Sequence, residues 1–335
     1  MKKRFNNLSI YRLIATICVL QFHIFFILYN RAIPYETLLS KGVQGLTCLS
    51  GLLYSQKVIK DSKGFFLNNF KKIIIPALIC LAIMMIWNLI YMLIFQDWNY
   101  LNLFLDHRLY NGSLLAQPGN YYYILYICIC YLITPVLQRN DRYSILAIIG
   151  VVIFEITLGF LLGAAMIMVT YIIGYYVGKK LFNKLTNIEE KYSYRNLFIM
   201  IGLTILVTVG YILLVNVSFG EIYFLKHLQS LIMNIFSTSF GVITFFLIIY
   251  FLRWTNRYQG SAFLSFTDKI SLNVYLLNQT FMCGAMNIAI LVSLMWQKTI
   301  LVYLFTIGFA IISYFIYFFI NKLMIKKKET PILAS

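Results

Sequence analysis

Runs of about twenty consecutive apolar residues recur along nearly the whole chain. Each is long enough, as a helix, to cross the roughly 30 Å hydrocarbon layer of a bilayer. That feature restricts the fold more than any other, because backbone polar groups in hydrocarbon must be satisfied within the segment itself. The chain is 61% hydrophobic with a mean hydropathy of +0.80. No low-complexity linker, Gly/Ser hinge or sustained polar block long enough for a soluble domain interrupts it. We read an all-α polytopic membrane protein, with one transmembrane domain over residues 1–335 and its function inside the bundle or in its short loops.

Apolar windows predict ten helices, starting near residues 8, 38, 73, 121, 144, 164, 196, 227, 270 and 299. The first run follows Met-Lys-Lys-Arg and lacks a small-x-small cleavage site, so it is expected to stay as the first span. With the N-terminus inside, the predicted outer segments hold only Arg31, Lys41, Arg108, Lys226 and Lys298 out of the 28 Lys and Arg residues. An asymmetry of that size fits the positive-inside rule, and one missed helix would scramble every later loop. Both termini are therefore expected in the cytoplasm.

The same distribution accounts for most of the net charge of +17, as topology signal and attraction to anionic lipid. Nucleic-acid binding is not indicated, since the basic residues are spread over short loops with no reading motif. The six cysteines all fall in apolar runs, where cysteine behaves as a small hydrophobe. Cys128 and Cys130 lack the spacing and partners of a zinc site, so neither a metal nor a disulfide framework is expected.

Polar groups inside the apolar runs carry the functional signal. In "YRLIATICVLQFHIFF", Arg12 and His23 are eleven residues apart, three turns plus about 20° at 100° per residue, so both project from one helix face about 16 Å apart. Thr16 lies between them, and the face reads as a polar track running from the inner surface to mid-bilayer. A histidine at that depth is either an interhelical hydrogen bond or a working group, and an arginine near a helix end either snorkels or binds an anion. Glu155, in "VVIFEITLGF", is a second ionisable group in a span, available to orient His23 or to act as a protonated core group. Helix 9 adds Ser271, Asn273, Asn278 and Gln279, a residue type that also joins helices together. His107 and His227 are read as surface residues.

These residues resemble the acyltransferase 3 family of integral membrane acyltransferases, whose first helix carries an arginine, ten intervening residues and a histidine. The family's second helix is approximated here by "GVQGLTCLSGLL", keeping Gly42, Val43, Ser50 and Gly51. Its basic segment before helix 3 is similar to "NNFKKIIIP", with Lys72 at the arginine position. "NYYYILYICICYLITP" keeps the family's frame with Asn120 at a histidine and Tyr122 at a tryptophan, and "SLNVYLLN" places Asn278 where a histidine is common.

The resemblance implies transfer of an acyl group, most often acetyl from acetyl-CoA as co-substrate, to a hydroxyl of a surface polysaccharide or its lipid-linked precursor at a bacterial cytoplasmic membrane. Hydroxyl attack on a thioester needs a base near neutrality, so His23 is expected as general base, with Glu155 in the catalytic set to orient it. Arg12, Lys71 and Lys72 would bind the donor phosphates, and Ser50, Gly51, Asn120, Tyr122 and Asn278 would line the substrate site. Ser50 or Cys48 would be the nucleophile if an acyl-enzyme formed. The expected partners are a carbohydrate acceptor and membrane lipid. A transporter or flippase of a glycan precursor would use similar intramembrane polar residues, and no inverted repeat is apparent in its support.

Overall fold

The computed structural model describes residues 5–29, 38–96, 122–162, 166–187, 189, 193–217, 222–258, 261–278, 280–282 and 288–329. The described residues are helical throughout, with turns and connecting stretches and no strand. The α-helices are α1 (Asn6–His23), α2 (Gly42–Tyr54), α3 (Ser62–Phe95), α4 (Tyr122–Arg139), α5 (Arg142–Leu162), α6 (Ile167–Thr186), α7 (Tyr194–Asn216), α8 (Tyr223–Phe251), α9 (Ala262–Leu277) and α10 (Met295–Glu329). Helix α1 continues into a π turn, Ile24–Leu28, and α2 is preceded by a 3₁₀ turn, Leu38–Lys41.

Each predicted apolar run contains one of these helices, but length and composition divide them. Six are long and apolar enough to cross a membrane: α1 with its π turn, α3, α5, α7, α8 with the turn after it, and α10. Helix α2 has 13 residues and α9 has 16, which at about 1.5 Å per residue is roughly 20 and 24 Å, short of a hydrocarbon core. Helix α6 carries Lys179, Lys180 and Lys184 in its second half. Helix α3 begins eleven residues before the predicted start at 73, and α9 begins eight before 270. Apolar windows locate hydrocarbon rather than helix ends, so the polar first turns of these helices were invisible to them. Large apolar side chains are exposed along α5, α7 and α10, including Phe198 at 69% and Leu206 at 65%. Exposed apolar surface on that scale belongs against lipid.

The chain packs as two compact units. The first comprises Met1–Phe26, Asn30–Phe66 and Tyr126–Asp268. Its core joins Leu8, Tyr11 and Ala15 of α1, Cys48, Leu49 and Leu52 of α2, and Val242, Phe245 and Ile249 of α8. The tightest seam is α2 against α6. A Cβ built on Gly51 would lie 2.1 Å from the Tyr171 carbonyl oxygen, and one on Gly174 would lie 2.0 Å from that of Cys48. The two backbones touch, as small residues permit in membrane helices. At one end of the unit, fully buried Asn7 donates through Nδ2 to the carbonyls of Leu185 and Ile249, both at 2.9 Å. Asn256 donates to Thr186 and Asn7, and Arg253 donates to Lys184 at 2.7 Å. These side chains satisfy the carbonyls that the last turn of α6 leaves without an intrahelical donor.

The second unit comprises Ile27–Tyr29, Leu67–Leu125 and Lys269–Ser335. Within it the Cys80 thiol lies 3.6 Å from Ser313 Oγ, and Asn273 Nδ2 donates to the Ala310 carbonyl at 3.2 Å. Phe281 packs against Phe305 and Phe309. Pro76 stands inside α3, where it has no N–H to return to the carbonyl of Lys72.

Valine at Gly51 or Gly174 is expected to force α2 and α6 apart, destabilising the protein by about 1–3 kcal/mol or more. Alanine at Gly150 or Gly202, where an added Cβ meets nothing within 4 Å, is expected to be neutral or slightly stabilising. Thermal unfolding of the detergent-solubilised protein measures both sets.

Candidate active site

Helix α1 holds the two residues at the centre of the functional signal. Arg12 is half-buried, and its Nη1 lies 3.1 Å from Asp268 Oδ1 at the end of the first unit's segment of α9. Ser9, one turn before Arg12, donates to the other carboxylate oxygen at 2.7 Å. The result is a small charged cluster in which Asp268 fixes the guanidinium while the other N–H groups of its fork remain for an anion. Sequence reasoning missed Asp268. The signal was a lone acid in the polar turn just before an apolar run, "SFTDKISLN", which the apolar window started after.

The expected polar track above Arg12 is interrupted. Thr16 is buried, and its hydroxyl donates back to the Arg12 carbonyl at 2.8 Å, a helix-internal bond that takes it out of any open passage. Val19 and Leu20, at 0% and 1% exposure, fill the level between Thr16 and His23. At that level the α1 face carries buried aliphatic side chains in place of polar ones. His23 itself is the last residue of the regular helix, half-buried, with its ring edge-on to Phe22 at 5.1 Å. The π turn begins at the next residue. Such turns recur at functional positions in helices.

Glu155 is placed by α6. Its two carboxylate oxygens accept the backbone N–H groups of Met168 at 2.6 Å and Val169 at 2.8 Å. These amides belong to the first turn of α6, which has no other side-chain cap, and a carboxylate there also meets the positive end of the helix dipole. Glu155 thus ties α5 to the start of the helix that packs on α2. Beside it in α6, the Tyr171 hydroxyl bonds Thr134 of α4 at 2.6 Å.

Ser50 and Gly51 lie on α2. Ser50 Oγ donates to the Leu46 carbonyl at 3.0 Å, and the hydrogen on Gly51 faces the α6 backbone. Cys48 is fully buried in the same seam. In the second unit Lys71 and Lys72 are exposed on α3, and Asn278 is 1% exposed just after α9. Tyr122 begins α4. Asn120, along with His107 and Gln279, lies outside the described residues. His227 is half-buried, its Nδ1 2.7 Å from the Phe160 carbonyl. No group of three metal-ligating side chains occurs among the described residues.

Alanine at Glu155 is expected to leave the first amides of α6 without acceptors, costing about 1–3 kcal/mol, with glutamine intermediate because it keeps one carbonyl oxygen. Faster amide hydrogen exchange at Met168 and Val169, together with a lower unfolding temperature, is the corresponding readout.

No curated protein and no solved structure matches the chain. The profile of one family, described as an acyltransferase domain, matches residues 5–319 and so reaches into every helix described above. With that match covering nearly the whole chain, the protein belongs to the Acyl_transf_3 family of acyltransferases.

Proposed function

We propose that the protein is a ten-span acyltransferase of a bacterial cytoplasmic membrane, with both termini in the cytoplasm. It moves an acetyl group from acetyl-CoA to a hydroxyl of a surface polysaccharide or its lipid-linked precursor. The family match makes acyl transfer the reaction class. The observation that carries the finer reading is the Arg12–Asp268 pair on one side of His23 along α1. A guanidinium held by one carboxylate at the basic end of the bundle suits the phosphates of a CoA donor. Lys71 and Lys72 add exposed positive charge before the apolar part of α3.

In this reading the imidazole of His23 accepts the proton of the acceptor hydroxyl while its oxygen attacks the thioester carbon. The C–S bond then breaks, the ester forms, and the departing thiolate takes up the proton. Asp268 is a positioning residue that acts through Arg12, and Glu155 acts through the placement of α6. Asn120, Tyr122 and Asn278 remain candidates for the acceptor side.

Replacing His23 with Ala is expected to remove ester-linked acetyl groups from the surface polymer and leave polymer yield intact. A drop in polymer yield instead would mark a flippase. Asp268→Asn is expected to raise KM for acetyl-CoA roughly ten-fold with little change in kcat, the loss of about 1.4 kcal/mol of donor binding. Steady-state kinetics on the purified protein measures that split.

A further inference from the structure

A cavity of about 330 Å³ opens among the start of α2, α7 and α8, within the first unit. Its position along the bundle is set by the pairing of α1 with α8. Asn7 bonds the Ile249 carbonyl, and the Tyr11 ring packs on Phe245 at 4.8 Å. The helices are antiparallel and rise equally at about 1.5 Å per residue, so His23 stands level with Met233, which lines the cavity. Lys226, also on its wall, is seven residues farther along α8, about 10 Å beyond that level. Arg12 lies on the opposite side of His23. The Lys226 end of the cavity and the proposed donor end therefore lie on opposite sides of the His23 level, while Lys41, packed at Gly241, forms the wall toward Ala15.

Its walls are basic and polar. Lys41 and Lys226 both line it, and neither has a carboxylate partner among the described residues. Helices α2, α7 and α8 contain no Asp or Glu at all. The first turn of α2 starts at Gly42 without a side-chain cap, which adds the positive end of a helix dipole beside Lys41. Ser230 supplies a hydroxyl and Gln229 its Oε1, since the Gln229 Nε2 donates to the Leu214 and Val217 carbonyls, and the Nδ2 of Asn234 is buried without a hydrogen-bond partner among the described residues. One turn farther in, Gln44 Oε1 and Thr238 Oγ1 are in the same condition, with Gln44 at 2% and Thr238 at 5% exposure. Buried polar atoms are nearly always bonded, so unpartnered ones along one wall mark a place where a ligand or water completes the set. The volume suits a small polar ligand. Two cations without a carboxylate partner among the described residues favour an anionic one.

We propose that this cavity binds a negatively charged sugar of the acceptor, its carboxylate or phosphate on Lys226 and its hydroxyls on Gln229, Ser230 and Asn234, with Lys41 at the opposite wall beside Gly241. This rests on the acyltransferase reading given above and narrows it: the acceptor is an acidic glycan, brought to the level of His23 from the side opposite the donor.

The test is binding of defined probes to the full-length protein in nanodiscs of neutral lipid, followed by the ligand-induced rise in unfolding temperature. The probes are glucuronic acid disaccharide, a glucose 1-phosphate-terminated disaccharide, and the neutral glucose disaccharide. At least one of the acidic probes is expected to bind at least ten-fold more tightly than the neutral one, and the one that does identifies carboxylate or phosphate as the anionic group. Lys226→Gln, at the exposed mouth, is expected to cut that affinity at least ten-fold and leave the unfolding temperature without sugar unchanged. Asn234→Leu is expected to weaken acidic and neutral probes alike. Equal binding of all three probes, or no effect of Lys226→Gln, overturns the proposal. Displacement of every sugar by phosphatidylglycerol in the nanodisc, with Lys226→Gln weakening only the lipid, assigns the cavity to a headgroup and also overturns it. His23→Ala tests the other reading separately, since it is expected to abolish acetyl transfer with probe binding retained.

Discussion

The architecture of the first unit depends on direct contact between the backbones of α2 and α6. Lipid gives apolar helices no hydrophobic reason to associate, so their attraction comes from close dispersion contact and from polar bonds. Gly51 and Gly174 provide the contact by presenting hydrogens to each other's carbonyls. Much of the site is anchored to this seam. Cys48 lies in it, Glu155 fixes the start of α6, and α8 packs on α2 at Gly241, whose added Cβ would meet the Lys41 carbonyl at 2.9 Å. A small shift at the seam would displace the acid, the cavity wall and the neighbour of α1 together.

Polar bonding is concentrated where helices end. The carbonyls at the close of α6 are taken by Asn7, Asn256 and Arg253, and the amides at its start are taken by Glu155. One helix is thus secured at both ends by side chains from other segments. Mid-helix hydroxyls such as Thr16, Thr47 and Ser50 turn back to their own helix instead. Arg12 differs from all of these because its partner, Asp268, is a charge. That pair sets a guanidinium in one orientation without using all its donors.

Helix content and approximate position were legible in the sequence because a twenty-residue apolar run has few other ways to fold. Where the helices begin was not, since Ser62 to Lys72 and Ala262 to Lys269 are helical yet too polar for a hydropathy window. The Arg12 and His23 spacing was legible, because helical periodicity is a local property. Their surroundings were not. Asp268 is 256 positions from Arg12, and only packing brings them together. Thr16 read as a step on a polar track because sequence gives a side chain's face but not its hydrogen-bond partner. Gly51 read as a point of approach for substrate, and the same absence of Cβ serves a neighbouring helix.

The π turn directly after His23 is an α-helix that has absorbed one surplus residue by widening locally. Ile24–Leu28 absorbs it immediately beyond the histidine and before the described part of this segment ends. The eleven-residue interval from Arg12 to His23 lies wholly on the regular side of that defect. Loss of a single residue within the turn would restore ordinary helical pitch there, leaving the interval itself untouched. The helix has a mechanical buffer there, which uncouples the geometry of the reactive pair from length changes farther along the chain.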